Sequence, residues 1–316
     1  MDSKLDSENK KPDHKLPRTT AEKEKREHHL ALAVLIISVI FWGYSFISTK
    51  IVLTELPPAS IAFFRQIIAF AVLISWLVPT KKFPRIGWKD LFRIGAAAFF
   101  GIVLYFIFEN TGLQFTNASS ASMIVAAVPI ITLFSETIFF KLKVSLNMVV
   151  CILLSIFGVY LVISVNGKLD FSSSAFLGNM LMMGAMVSWV IYTIMNKKFS
   201  VKYSSLVLTA YQTLTSIFLF LPFVVSEAGR WKIPSLFPLL NLLYLGIFCS
   251  ALSYVFYIYA AKRLGPTVSS SFLNLTPVVT VIFGYFILDE KIAVIQIAGM
   301  ALIMLSLYWL SRKKPQ

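Results

Sequence analysis

Histidine, cysteine and charge are what this sequence has little of. Its three histidines, His14, His28 and His29, all precede the first long apolar run, and its two cysteines, Cys151 and Cys249, stand 98 residues apart inside apolar runs. Neither arrangement is a zinc pattern or a disulfide framework, and no cofactor is called for. There is no P-loop, no H-E-x-x-H and no G-x-S-x-G. ATP hydrolysis and acid–base or metal-assisted catalysis therefore lack their usual parts. Charged residues make up 14% of the 316 positions and hydrophobic ones 57%, against roughly 25% and 45–50% in soluble domains. A soluble chain of this length would have too little polar surface to cover its core.

The charge that is present is basic, with a net of +14. Residues 1–29 hold eight Lys/Arg and seven Asp/Glu, so the excess lies beyond them. It sits there in short clusters between apolar runs. Such clusters are topology signals rather than a phosphate-binding face, so nucleic acid is not an expected partner.

The composition of residues 1–29 predicts a disordered cytoplasmic tail, with Ser3, Ser7, Thr19 and Thr20 open to modification. A secretory signal would place a short apolar stretch directly after a basic start, which this segment does not do. Ten apolar runs follow, near 30–49, 58–79, 91–112, 118–140, 144–165, 177–196, 205–226, 237–261, 267–288 and 292–311. At about 1.5 Å per residue, a run of roughly 20 residues crosses a hydrocarbon core of about 30 Å. Only helices or closed barrels satisfy every backbone group in lipid, and these runs lack the alternation of barrel strands. The expectation is an all-α integral membrane protein of ten transmembrane helices, with the bilayer as its solvent.

With the N-terminus inside, segments on the cytoplasmic side carry 23 Lys/Arg and those on the opposite side five: Lys50, Lys168, Arg230, Lys232 and Lys291. Without the tail the ratio is 15 to five. This asymmetry predicts a plasma-membrane protein with both termini cytoplasmic, ending in the basic residues 312–316. The halves also resemble each other. Aligned at Pro129 and Pro277, residues 118–160 and 266–308 run without a gap, and Trp42/Lys50 and Trp189/Lys197 share the spacing W-x7-K. Five spans, an odd number, separate equivalent positions. The second repeat (177–311) is therefore inverted relative to the first (30–166), the architecture of alternating-access carriers around a central cavity.

Phe41-Trp42-Gly43-Tyr44-Ser45-Phe46, Arg65 within Phe63-Phe64-Arg65, the stretch from Glu109-Asn110 to Ala118-Ser119, and Pro277 with Asp289-Glu290-Lys291 form an ordered set. The set resembles the drug/metabolite transporter superfamily, EamA type, over residues 30–311. The position in the first half that corresponds to Asp289-Glu290 is Lys141-Leu142, a departure from the family pattern. The resemblance implies two five-helix repeats moving a small metabolite, such as an amino acid or related solute, in the export direction.

Ionisable residues inside spans are functional candidates by default, and the three that matter here are Arg65, Glu109 and Glu136; spans six to ten as drawn contain none. Arg65 is either a counter-charge for a substrate carboxylate or phosphate, or a structural partner of Glu109 or Glu136. Glu109 is an interfacial group, or a cavity group that binds an amine or a coupling proton. Glu136, near Lys141 and Lys143, reads best as an interfacial carboxylate paired with lysine. Trp42, Tyr44, Trp189 and Tyr192 suit a cavity wall for amphipathic solutes, or ordinary packing. Asn110, Gln114, Asn196, Gln212 and Asn274 are neutral polar candidates whose alternative role is interhelical hydrogen bonding. Pro129 and Pro277 are candidate hinges. Gly95 to Gly101 predicts close helix packing. A phosphorylated-sugar or nucleotide-sugar exchanger and a non-transporting sensor or structural subunit remain alternatives, and a second copy of the chain is a possible partner.

Overall fold

The computed structural model describes residues 18–80, 86–116, 121, 124–125, 127–141, 143–163, 173–288 and 294–312. Among them there is no strand. The helices fall into two sets of five: α1 Arg18–Val52, α2 Pro58–Leu77, α3 Trp88–Phe115, α4 Val128–Phe140 and α5 Leu146–Ile163, then α6 Ser173–Lys202, α7 Ser205–Glu227, α8 Leu236–Leu264, α9 over 266–288 and α10 Val294–Arg312. Among the described residues, seven helices are long and apolar enough to cross a membrane, and Val128–Phe140, Leu146–Leu161 and Ile297–Leu310 are further apolar helical stretches. The described part of α4 carries its own end signals. Pro129 fits the first turn, where its missing N–H is not needed, and Lys141 ends the helix in the left-handed conformation, φ 53°.

Polarity is reversed relative to a soluble protein. Phe134, Leu153, Phe286 and Ile297 are exposed, whereas Arg65, Gln66, Glu109, Asn110, Gln212 and Asn274 are buried. An apolar exterior around a polar interior matches a lipid solvent.

One expectation is corrected at the N-terminus. Residues 18–29 are not a disordered tail but the opening turns of α1. They contain good helix formers, and Glu22/Arg26 and Lys23/Glu27 have the i,i+4 spacing that supports an exposed helix. Glu27 also meets Arg263 at 3.5 Å, tying this extension to the end of α8. Residues 1–17 and 313–316 lie outside the described residues, as do Lys168 and Asp289-Glu290-Lys291.

Packing follows the repeat. α2 packs on α7 and α5 on α10, each helix against its counterpart in the other half; α1 packs on the second part of α8 as α6 does on the second part of α3. Two contacts at helix ends obey the same relation. Glu55, after α1, accepts from the backbone N and Oγ of Ser235, the N-cap of α8, at 2.7 Å each. Lys202, 147 positions on, pairs with Asp90 at the start of α3. Both α3 and α8 contain a π-helical stretch, Phe99–Leu104 and Leu245–Leu252, at equivalent depth. In α9 a 3-10 stretch, Phe272–Leu275, separates Pro266–Ser271 from Thr276–Leu288.

Candidate functional site

A pocket lies between the two halves. α1 contributes Trp42, Ser45 and Phe46; α2 contributes Arg65; α3 contributes Tyr105, Phe106 and Glu109. The second half closes it with Met186 and Trp189 of α6, Tyr254 of α8, and Leu273 and Thr276 of α9. The free space is about 40 Å³, room for a few waters, whereas pockets holding small ligands run to roughly 300–1,000 Å³. A solute of metabolite size therefore requires the walls to move apart.

The π-helical stretches build the walls. A carbonyl has two lone pairs, so one already used along the helix can still accept from a neighbour. Trp42 Nε1 donates to Cys249 O in the π stretch of α8 at 3.0 Å, and Tyr254 Oη donates to Gly101 O in that of α3 at 3.0 Å. Each half thus anchors an aromatic of the pocket on the irregular turn of the other. π turns recur at functional positions in helices. The rings then pack together: Trp42 and Trp189 meet edge to face 5.2 Å apart, and both meet Tyr254 edge to face and Tyr257 at a tilt, within 6 Å.

Two charges face this aromatic box. Arg65 is 2% exposed; its Nε donates to Ser250 Oγ at 2.8 Å, and its guanidinium lies 4.0 Å over the Phe106 ring. Glu109 is 5% exposed and accepts from Tyr105 Oη at 3.0 Å. Among the described residues the two form no ion pair within 4.0 Å. Trp189 Nε1 is buried beside Tyr257 without a well-formed hydrogen bond of its own. A buried donor of this kind is costly unless a ligand or water can meet it.

Of the residues singled out in the sequence, Trp42, Arg65, Glu109 and Trp189 come together here. The others lie elsewhere. Tyr44 turns away from the pocket, against Tyr244 and Phe283. Asn110 donates to Pro58 O at 2.9 Å, joining α3 to the start of α2. Tyr192 donates to Gln212, which donates to Asn196, a buried chain between α6 and α7. Asn274 donates to Ser155 Oγ at 2.7 Å. Gln114 is exposed. Pro129 and Pro277 each stand in the first turn of a helical segment, Pro277 directly after the 3-10 stretch of α9. Glu136 is away from Arg65 and pairs with Lys197 rather than with Lys141 or Lys143.

Ser250, Tyr105, Phe106 and Tyr254 were not anticipated. Tyr105 carried a signal, since it stands one helical turn before Glu109. Glu227 was also missed, because the seventh run was drawn to end one residue before it; it is 7% exposed and belongs to α7.

Apolar where it would meet lipid, with its buried polar groups turned inward, the molecule is a multi-pass membrane protein, and its relatives make it a transporter. The model of the EamA-like transporter family matches twice, over residues 29–164 and 176–312. The chain belongs to that family. It is 30% identical over 284 residues to an uncharacterized transporter of Archaeoglobus fulgidus, covering 89% of this chain and 98% of that one. A second Archaeoglobus fulgidus transporter is 29% identical over 267 residues, 83% of this chain and 90% of the relative. A crystal structure 17% identical in sequence superposes with a TM-score of 0.74, covering 89% of this chain and 98% of the other, and so shares the fold.

Proposed function

We propose that the protein is a secondary carrier of small amphipathic zwitterions, amino acids or close relatives, built from ten spans in two inverted repeats and set in the plasma membrane with both termini cytoplasmic. The observation that carries this reading is the pair of opposite charges, Arg65 and Glu109, facing one aromatic pocket without pairing to each other. An α-amino acid offers a carboxylate to the planar guanidinium and an ammonium to the carboxylate, and its side chain meets the rings of Trp42, Trp189 and Tyr254. A phosphorylated sugar or nucleotide sugar fits less well. It would favour several cations, and Arg65 is the only cation among the described lining residues, with Glu109 opposing it.

The direction is export, on the strength of the family resemblance. Uphill movement draws on an ion or substrate gradient, since the chain has no ATP-binding motif. Glu109 is the coupling candidate, as a titratable group inside the pocket. Counterflow tests the substrate class: vesicles containing the purified protein and loaded with unlabelled amino acid are expected to accumulate labelled amino acid transiently. Counterflow with sugar phosphates and none with any amino acid would overturn the class.

A further inference from the structure

Two buried carboxylates outside the pocket each close one end of the interface between the halves. At the end where α7 finishes, Glu227 accepts from Ala59 N at 3.2 Å, Ser60 N at 2.8 Å and Ser60 Oγ at 2.8 Å, all in the first turn of α2. Trp231 Nε1 donates to the same Ser60 Oγ at 2.7 Å. At the end where α4 finishes, Glu136 is 2% exposed and accepts from Thr267 N at 2.8 Å and Thr267 Oγ1 at 2.6 Å, in the first turn of α9. Lys197 Nζ of α6 reaches it at 2.5 Å. Neither helix start has a side-chain cap of its own, since Pro57 and Gly265 occupy the N-cap positions. The first-turn N–H groups are orphan donors, and in each case a carboxylate from the repeat-related helix of the other half supplies the acceptor.

The two contacts lie at opposite ends of the bundle. α8 begins just after α7, near Glu227, and ends at Gly265, next to Thr267. Its 29 residues span about 43 Å at 1.5 Å per residue. The pocket lies between them: Arg65 is five residues inward from Ser60, and Thr276 nine residues inward from Thr267. Both contacts are made here, and the pocket is contracted.

We propose that Glu227 and Glu136 are the latches of the two mouths, and that each must release its helix start for the pocket to open at its own end while the other holds. The proposal rests on the carrier reading, but its test does not need transport. A pocket cysteine, Ser45→Cys, is labelled with a membrane-impermeant maleimide in sealed vesicles of each orientation, without substrate. Glu227→Gln is expected to speed labelling from the Ser60 side about tenfold, the order of one lost charge-assisted hydrogen bond, and to slow it from the Thr267 side. Glu136→Gln is expected to do the reverse. Labelling that rises equally from both sides, or does not change, overturns the latches.

Should the glutamine variants fail to fold, the cysteine pairs Ser60→Cys/Glu227→Cys and Thr267→Cys/Glu136→Cys, joined by a short bifunctional reagent, give the same decision. Each lock is expected to abolish labelling from its own side only, and loss from both sides or neither overturns the proposal. Wild-type flux without sided labelling removes the latches and leaves the carrier. Sided labelling in a protein that moves no solute removes the carrier and leaves the latches.

Discussion

Arg65 shows how a buried charge can be both held and available. One nitrogen is fixed by Ser250 and one face by Phe106, and the group still lines the pocket. A lysine would keep the charge but lose the fork and its stacking. Arg65→Lys is therefore expected to fold at normal yield and to transport about tenfold more slowly, the order of a lost charge-assisted hydrogen bond worth ~1.5–3 kcal/mol. Initial rates and a thermal melt check this; unchanged rates would remove Arg65 from the binding site. Glu109→Gln keeps the shape and an acceptor for Tyr105 but removes the titratable proton. It is expected to abolish uptake driven by a pH gradient and to leave exchange at equal pH intact, measured with the membrane potential clamped. At this scale the sequence was informative about charge and poor about direction. Arg65 and Glu109 stood out because lipid makes any ion expensive. Tyr44 and Trp42 sit two residues apart on a helix, so they face different sides, and composition could not say which side was the cavity.

The helices were legible in position, because each apolar run is long and flanked by polar or turn residues. Their irregularities were not. The two π-helical stretches carry no composition of their own, yet they place Gly101 and Cys249 carbonyls where Tyr254 and Trp42 can reach them. Gly101 did carry a signal as part of a run of small residues, and its reason is now specific. A Cβ there would lie 2.1 Å from ring carbons of Tyr192. Gly101→Ala is expected to cost about 1–3 kcal/mol through overpacking, seen as a lower melting temperature. Tyr192→Ala in the same chain should recover part of that loss; if Gly101→Ala melts like wild type, α3 and α6 are not held this closely. The start of α1 was misread for the opposite reason. Charge without apolar residues suggested disorder, but helix-forming residues with charges at i,i+4 spacing and the contact of Glu27 with Arg263 let the helix run on past the apolar span.

For the molecule as a whole, the repeat was visible in the sequence as an offset of 147–148 residues, and it reappears as reciprocal packing: α2 on α7, α5 on α10, and the matched end contacts Glu55–Ser235 and Lys202–Asp90. The last pair reverses the charge at an equivalent position, acidic after α1 and basic at the end of α6. That reversal fits the positive-inside rule if the two sites face opposite sides of the membrane, because Lys and Arg are retained on the cytoplasmic side. The same logic covers the chain, where Lys/Arg divide 23 to five between the two sides of the proposed ten-span topology. Orientation is thus a property of the summed charge and not of any one loop. Single cysteines placed within 173–175 and 228–235 are accordingly expected to react with an impermeant reagent added to intact cells, and those within 86–89 and 198–203 to react only after permeabilisation. The acidic and basic members of the repeat-related pair give the sharpest comparison: Glu55→Cys should label from outside and Lys202→Cys should not. Labelling of Lys202→Cys in sealed cells at the rate of Glu55→Cys would overturn both the cytoplasmic placement of the termini and the inversion of the second repeat.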